Sequence, residues 1–266
     1  MEEYKKIIES FPGKIGLMVT DFSGKVLAKE NKDEVFSTAS VIKIFLLGAL
    51  LDACEHGGKN LNDMVHVENT ERAKGTGVLK ELKSDICLSV FDLAMLMIII
   101  SDNVATNILV DYLGGVESLN GFFGRIGLKK TRMNRKVSAD PAVTAATPLG
   151  ETTPSETAEY LRRVYTGEIL SQKSVNIFLE ICSRQQLKNA FVREISSVPS
   201  AHKTGTFDRA RNDVGYLFPE NGKNIIFAAF TDSDNDEERG VDALGYVTLG
   251  RLGKCLYEEL CKEHSC

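Results

Sequence analysis

The fold centres on residues 38–55, which read Thr38-Ala-Ser-Val-Ile-Lys-Ile-Phe-Leu-Leu-Gly-Ala-Leu-Leu-Asp-Ala-Cys-Glu55. Apolar side chains fall on every face of this stretch as far as Leu51, which predicts a helix buried on all sides. Either Ser40 or Thr38 offers a side-chain oxygen to cap its first turn. We therefore expect a core helix over about residues 39–54.

Two polar residues interrupt this apolar stretch, Ser40 and Lys43, and their spacing places them one turn apart on one face. A lysine in an apolar helix costs free energy unless it has a partner or a chemical role. A serine at a helix N-terminus lies where backbone N–H groups favour developing negative charge. The pair predicts a nucleophile with a nearby amine that takes its proton. The spacing alone is weak evidence, because Ser200-Ala-His-Lys203 has it too.

The composition is that of an ordinary globular chain of 266 residues, with 43% hydrophobic and 26% charged residues. The net charge of -5 and the absence of a basic face exclude a nucleic-acid partner. The longest apolar runs, Ile44–Leu51 and Leu93–Ile100, are too short to span a bilayer. The N-terminus lacks the apolar core of a secretion signal. We expect a cytoplasmic monomer as written, or a secreted or periplasmic protein if a leader has been removed.

Cysteine and histidine spacings give no sign of a metal site. The six cysteines form no Cys-x-x-Cys pair, and the four histidines have no ligand spacing. We therefore expect free thiols, and neither a metal nor another cofactor.

Strand-like runs lie at both ends of the chain, and helical patterns fill its middle. The runs are Lys14–Thr20, Lys25–Lys29, Ser200–Phe207, Asp213–Phe218 and Asn224–Thr231. This order predicts an α/β (α+β) fold, in which residues 1–36 and 188–266 form one antiparallel sheet flanked by terminal helices. An all-helical subdomain over residues 37–187 is inserted, and the seam between the two is the expected place for the active-site cleft.

Three short polar motifs fall at the ends or edges of these elements. They are Ser40-x-x-Lys43, Ser101-Asp102-Asn103 and Lys203-Thr204-Gly205. Each alone has an ordinary structural explanation, but together and in this order they match the set known from class A β-lactamases and penicillin-binding proteins. The sequence is similar to class A β-lactamases over nearly its whole length, including Leu113-Gly-Gly115, Thr131-Arg-Met-Asn-Arg135, Thr152-Thr-Pro154 and Asn212-Asp213.

The resemblance implies the β-lactamase/transpeptidase-like fold and acylation of a serine by a cyclic amide. Ser40 is then the residue that attacks the carbonyl, and Lys43 is its base or proton relay. Ser101 carries a proton to the leaving nitrogen. Asn103 has a donor for the substrate amide and an acceptor for the lysine.

The same resemblance assigns substrate binding to one strand, at Lys203, Thr204, Gly205 and Thr206. The lysine charge and the Thr204 hydroxyl suit a substrate carboxylate, and the glycine lets the substrate lie against the strand. Backbone N–H groups of the nucleophile and of Thr206 form the implied oxyanion hole. Arg209 or Arg211 is expected either to supplement carboxylate binding or to lie on the surface.

The long segment 129–153 departs from the family pattern. Class A enzymes carry a glutamate two residues after the second arginine of the Thr-Arg-x-Asp-Arg-like stretch, and that glutamate activates the deacylating water. Here Val137 holds this place, and valine accepts no proton. Asp140 is a candidate substitute and Glu151 a weaker one, while Lys43 serving both steps is the alternative. Loss of a general base commonly costs about 10²–10⁴-fold, so a trapped acyl-enzyme is one of the outcomes that stay open.

Three functions stay open at this point, all using a small-molecule β-lactam or another acyl amide. The first is a class A-like serine β-lactamase acting through an acyl-enzyme on Ser40. The second is a serine amidase, peptidase or esterase on the same scaffold. The third is a penicillin-binding protein that is acylated but deacylates slowly because of Val137.

Overall fold

The computed structural model describes residues 3–67, 75–82, 86–233 and 240–261. The α-helices are α1 Glu3–Glu9, α2 Ile42–His56, α3 Val90–Ile99, α4 Asn103–Tyr112, α5 Val116–Arg125, α6 Pro141–Ala146, α7 Pro154–Tyr165, α8 Gln172–Ser183 and α9 Leu244–Leu260. The strands are β1 Lys14–Asp21, β2 Val26–Glu30, β3 Phe36–Ser37, β4 Met64–Val67, β5 Ile86–Ser89, β6 Arg132–Met133, β7 Gly150–Thr152, β8 Ser200–Phe207, β9 Ala210–Leu217 and β10 Ile225–Asp232.

A five-stranded antiparallel sheet joins the two ends of the chain, in the order β2-β1-β10-β9-β8. The central strand β10 consists of apolar residues up to Phe230, which suits a strand covered on both faces. Successive side chains of a strand point to opposite faces, so Ile226 and Ala228 lie in one apolar core and Phe227 and Ala229 in the other. The predicted mixed fold with an antiparallel sheet is confirmed.

The two faces of the sheet are covered by different helices. On one face α1 and α9 pack through residues such as Tyr4, Leu252 and Leu256. On the other face lies the larger core, to which helices α2, α3, α4, α5, α7 and α8 contribute. The terminal helices therefore flank the sheet as predicted, because their apolar faces have no other surface to cover.

Helix α2 is the core helix that the sequence predicts. Every residue from Ile42 to Leu51 is buried, Lys43 included. Gly48 makes this possible, since a Cβ there would lie 1.9 Å from the Tyr160 hydroxyl of α7. That hydroxyl donates to the Ile44 carbonyl at 3.2 Å, which ties α7 to α2.

The segment 37–187 is not all-helical, and on this point the prediction is wrong. Strands β4 and β5, which lie within this segment, pair with each other in antiparallel register. A second small sheet has the order β3-β7-β6. These strands have two to four residues each, too few for an alternating pattern to be recognised in sequence. The division into two subdomains stays a prediction.

None of the helices in the described part of the chain has the length and apolar character that crossing a membrane requires.

Candidate active site

Ser40 lies in a one-turn 3₁₀ helix, Ala39–Val41, that precedes α2. The predicted side-chain cap is wrong: the N-cap of α2 is Val41, and Thr38 begins the 3₁₀ turn in a helical conformation without a side-chain cap bond. Ala39 has a φ of 44°, a left-handed conformation that costs on the order of 1–3 kcal/mol in a residue with a Cβ. The half-buried Ser40 is thus presented at a strained turn, and its hydroxyl does not cap the helix.

Lys43 is fully buried and points at the Ser101-Asp102-Asn103 turn. Its Nζ donates to Ser101 O at 2.8 Å, to Ser101 Oγ at 3.0 Å and to Asn103 Oδ1 at 2.8 Å. Burial, followed by the positive charge of Lys203, holds the pKa of Lys43 well below its usual range, and the Asp102 charge opposes this shift. An amine with a lowered pKa is a better proton acceptor near neutral pH.

The Ser101-Asp102-Asn103 turn is held in place by the buried carboxylate of Asp102. Its Oδ1 caps α4, at 2.9 and 3.0 Å from two backbone nitrogens of that helix. Its Oδ2 accepts from the backbone of Val78 at 2.7 Å and of Leu79 at 3.0 Å. Ser101 itself has a φ of 59°. The second motif is therefore a rigid turn whose geometry is set by hydrogen bonds to two separate segments.

Strand β8 passes directly beside the turn that carries Ser40. A Cβ on Gly205 would lie 2.6 Å from Thr38 O and 3.0 Å from Val41 N. From β9, Asn212 Nδ2 donates to Thr38 O at 3.2 Å. The glycine of the third motif thus allows close approach of protein backbone, a contact that short sequence patterns do not predict.

Replacing Gly205 by alanine is expected to lower the free energy of unfolding by about 1–3 kcal/mol, because the added methyl overlaps the backbone of the Ser40 turn. Urea denaturation measures this change. Gly121→Ala in α5 is the matched control, since a Cβ there has nothing within 4 Å and alanine favours a helix by about 0.5–1 kcal/mol. Equal stabilities of the two variants would contradict the predicted contact.

Lys203 is fully buried on β8, and its Nζ donates to Thr204 O at 2.7 Å. Burial lowers the pKa of Lys203 to about 7, against the opposing effects of Asp213 and Cys182. The charge of this lysine therefore changes within the neutral pH range, so that it is an ammonium mainly below pH 7.

A cavity of about 490 Å³ lies between α6 and the end of β8. It is lined by Pro141, Thr144, Ala145, Thr206, Phe207, Asp208 and Arg211. The Thr206 hydroxyl forms a hydrogen bond with the hydroxyl of Tyr246 from α9, which fixes its orientation. Two of the predicted site residues, Thr206 and Arg211, therefore share one cavity.

The two arginines have different surroundings. Arg209 is exposed, and its Nε donates to Asp232 at 2.7 Å. Arg211 is only 1% exposed, and its Nη1 donates to Asp208 O at 2.6 Å and to Ala210 O at 3.0 Å. Arg211 thus stabilises the β8–β9 turn at the cavity wall, while a role of either arginine in carboxylate binding stays a prediction.

The long loop over residues 129–153 is attached to α4 at Val137. Its N–H donates to Asn107 Oδ1 and its carbonyl accepts from Asn107 Nδ2, both at 2.9 Å. The valine side chain is half-buried and packs on the main core. Asp140 is exposed and caps α6, accepting from Ala142 N at 2.9 Å. No contact of Asp140 with the three motifs is seen among the described residues.

Asn107 lies beside the site and is not among the predicted site residues. It follows Asn103 by four residues, which places both amides on one face of α4. That spacing was the available signal, because two amides on one face of a largely apolar helix need partners. The partner of Asn107 lies 30 residues further along the chain and is not visible in the sequence.

One group of potential metal ligands lies among the described residues. Glu3, Cys255 and Glu259 bring their ligand atoms within 4.8 Å of one another, on α1 and α9. These helices cover the face of the sheet opposite the large core, so the group is not part of the Ser40 site.

The arrangement of sheet and helices is shared with solved structures. The structure resembles a β-lactamase from Sphaerobacter thermophilus with a TM-score of 0.86 and 26% identity, covering 98% of this chain and 97% of the other. It also resembles PBP-A with a TM-score of 0.83 and 27% identity, covering 97% and 96%. One PBP-A structure is a leucine-to-glutamate mutant in an acyl-enzyme complex with penicillin G.

Residues 1–260 match the model of the β-lactamase enzyme family, and the chain belongs to this family. A β-lactamase of Rhodobacter capsulatus is 27% identical over 262 residues, which covers 94% of this chain and 85% of that protein. The resemblance to class A β-lactamases found in the sequence is confirmed.

Proposed function

We propose that the protein is a class A-like serine β-lactamase that opens the lactam amide through an acyl-enzyme on Ser40. One observation carries the proposal: buried Lys43, three residues after Ser40, has its Nζ 2.8–3.0 Å from Ser101 and Asn103. Desolvation favours its neutral amine, which can take the proton of the attacking hydroxyl. Family membership supports a β-lactam as the substrate class.

In the proposed acylation, Ser40 Oγ bonds to the lactam carbonyl carbon while its proton passes to Lys43. The C–N bond then breaks, and Ser101 Oγ delivers a proton to the leaving nitrogen. The 3.0 Å contact between Lys43 Nζ and Ser101 Oγ supports this relay, because the lysine can return the proton to Ser101. Asn103 holds the lysine with its Oδ1 and offers its Nδ2 to the substrate amide.

Backbone N–H groups of Ser40 and Thr206 are the proposed oxyanion hole, each stabilising the transition state by about 3 kcal/mol. The close contact of β8 with the Ser40 turn at Gly205 supports this pairing, since it keeps the two backbones adjacent. A rigid pairing matters because donors must be aligned before charge develops on the oxygen.

Lys203 and Thr204 are proposed to bind the substrate carboxylate. A lysine whose pKa is about 7 binds an anion well only while it is protonated, at neutral pH or below. Arg211 lines the adjacent cavity and adds positive charge there, whereas Arg209 is paired with Asp232 and is the weaker candidate.

Release of the acyl group is the step for which this site is least well equipped. Val137 has no proton-accepting group, and Asp140 is exposed and occupied as a helix cap. We therefore favour Lys43 as the base that activates the water, ahead of Asp140. Val137 also favours a second candidate function, a penicillin-binding protein that is acylated but deacylates slowly. A serine amidase, peptidase or esterase on the same scaffold is the related alternative.

Time-resolved intact-mass measurement with penicillin G tests the proposal. We expect one adduct with the full mass of penicillin, because ring opening loses no atoms, and its clearance within minutes. An adduct that persists for hours identifies the slowly deacylating protein instead. If no adduct forms and penicillin is not converted, both functions are contradicted.

A further inference from the structure

Strand β8 forms one edge of the main sheet, so half of its backbone groups have no partner strand. Just before β8, Pro199 O accepts from Phe218 N at 2.9 Å, and alternate residues from there on face β9. His202, Thr204 and Thr206 therefore direct their backbone groups to the outer edge. The proposed oxyanion donor, Thr206 N–H, lies on the same edge as His202 O.

The side chain of Gln185 is bound to this outer edge. Gln185 follows the end of α8 and is only 3% exposed. Its Nε2 donates to His202 O at 3.3 Å and to Ile98 O of α3 at 2.9 Å. Its Oε1 accepts from Leu187 N at 3.0 Å. The carboxamide thus uses its NH₂ group for two carbonyls and its oxygen for one N–H.

The Ile98 carbonyl belongs to the end of α3 that leads into the Ser101-Asp102-Asn103 turn. The last four carbonyls of an α-helix have no partner within the helix, so they need donors from elsewhere. Ile98 O has the Gln185 side chain, and Leu96 O accepts from the backbone N–H of Asp102 at 3.1 Å, which attaches the turn to the helix end. Gln185 therefore connects the support of this turn to the strand that carries the third motif.

In the proposed reaction these two elements act on different parts of one substrate. Strand β8 holds the substrate carboxylate and, through Thr206 N–H, the carbonyl oxygen, whereas Ser101 delivers a proton to the leaving nitrogen. Reacting groups must lie within about 0.5 Å of the productive geometry, and a displacement of about 1 Å can cost on the order of 10²-fold in rate. The rate of acylation therefore depends on the separation between β8 and the Ser101 turn.

We propose that Gln185 is a positioning residue for acylation, because its carboxamide sets the separation between β8 and the turn that carries Ser101. This inference rests on the proposed function, which assigns both elements to one substrate. A carboxamide suits this role, since its planar NH₂ group can donate to two carbonyls at once. Gln185 itself acts only through His202 and Ile98.

Gln185→Glu tests the proposal with a side chain of nearly the same size. An ionised carboxylate has no hydrogen to donate, so it repels both carbonyls that the glutamine joins. We expect the maximum rate of acylation by penicillin G, measured by intact mass, to fall by about tenfold or more. The penicillin concentration that gives half of this rate should change little, because β8 keeps its own binding groups. Gln186→Glu is the matched control, since its side chain is exposed, and it should be acylated at the wild-type rate.

The pH dependence of acylation separates positioning from a loss of folded protein. Burial against two carbonyls raises the pKa of a carboxyl group, and the protonated acid regains one donor. The rate of Gln185→Glu relative to that of the wild type should therefore rise as the pH is lowered from about 8 to about 5. Partial unfolding would instead lower the acylated fraction and leave the rate constant of the folded protein unchanged. A wild-type maximum rate at high pH, or a reduced rate without this rise, would overturn the proposal.

Failure of the proposed function has a different signature, because the wild type would then form no adduct. Crystal structures measure the positioning without turnover: the distance from Ser101 Oγ to Thr206 N should change by about 0.5 Å or more in Gln185→Glu and stay unchanged in Gln186→Glu. If Gln185→Glu does not fold, as judged by circular dichroism, Gln185→Met removes the donors at similar length without adding a charge. An unchanged distance, or acylation of Gln185→Met at the wild-type maximum rate, would overturn the proposal.

Discussion

Replacing Ser40 by alanine is expected to abolish acylation by penicillin G and to reduce opening of a chromogenic cephalosporin by on the order of 10⁴-fold or more. The side chain of this residue is the proposed nucleophile, and alanine has no atom that can form the acyl bond. Intact mass measures the adduct, and absorbance measures ring opening. The fold should remain, because Ser40 is half-buried and caps no helix with its side chain.

Ser200→Ala is the matched control for this experiment. Ser200 precedes Lys203 with the same spacing as Ser40 precedes Lys43, but it lies on strand β8, where neighbouring side chains follow a period of two. Its hydroxyl is therefore not presented one helical turn from an amine. Acylation at the wild-type rate is expected in Ser200→Ala. If Ser40→Ala opens the cephalosporin at the wild-type rate, Ser40 is not the nucleophile.

Replacing Val137 by glutamate is expected to speed release of the acyl group by about 10²–10⁴-fold, the usual contribution of a general base. The backbone of residue 137 is held by two 2.9 Å hydrogen bonds to the side-chain amide of Asn107. These bonds do not depend on which side chain residue 137 carries. A carboxylate at this residue would stand where the class A pattern has its water-activating glutamate. Decay of the penicillin G adduct after removal of free penicillin measures the rate.

Val137→Gln separates base catalysis from a change of shape, because glutamine has nearly the same size and no proton-accepting carboxylate. Its adduct should decay at the wild-type rate, while the acylation rates of both variants should stay close to that of the wild type. Equal decay in the glutamate and glutamine variants would mean that another group, such as Lys43, already performs the step. The half-buried valine packs on the core, so both variants are expected to lose some stability.

Several elements of the fold follow from local patterns. The apolar run from Ile42 to Leu51 predicts α2, and the strand-like runs at both ends of the chain predict the sheet. Short strands such as β4 and β5 cannot be predicted from local patterns, because they form only by pairing with each other across the intervening chain. The start of α2 could not be predicted from local patterns either. A 3₁₀ turn replaces the expected side-chain cap there, and β8 packs directly beside this turn.

The candidate site divides in the same way. The amino-acid sequence is enough to predict the available chemistry, namely a serine and a lysine on one turn, the Ser101-Asp102-Asn103 turn and the Lys203-Thr204-Gly205 strand. It also determined that Val137 brings no base to the long loop. These conclusions need only residue types, their order and short spacings.

Which of these groups come into contact depends on how the chain folds. The bonds from Lys43 to Ser101 and Asn103 join residues 58 and 60 positions apart, and Asn212 reaches Thr38 across 174 positions. The burial that lowers the pKa values of Lys43 and Lys203 exists only once sheet and helices enclose them. Hydrogen bonding, desolvation and charge–charge interaction all depend on distance in space, which no short stretch of sequence specifies.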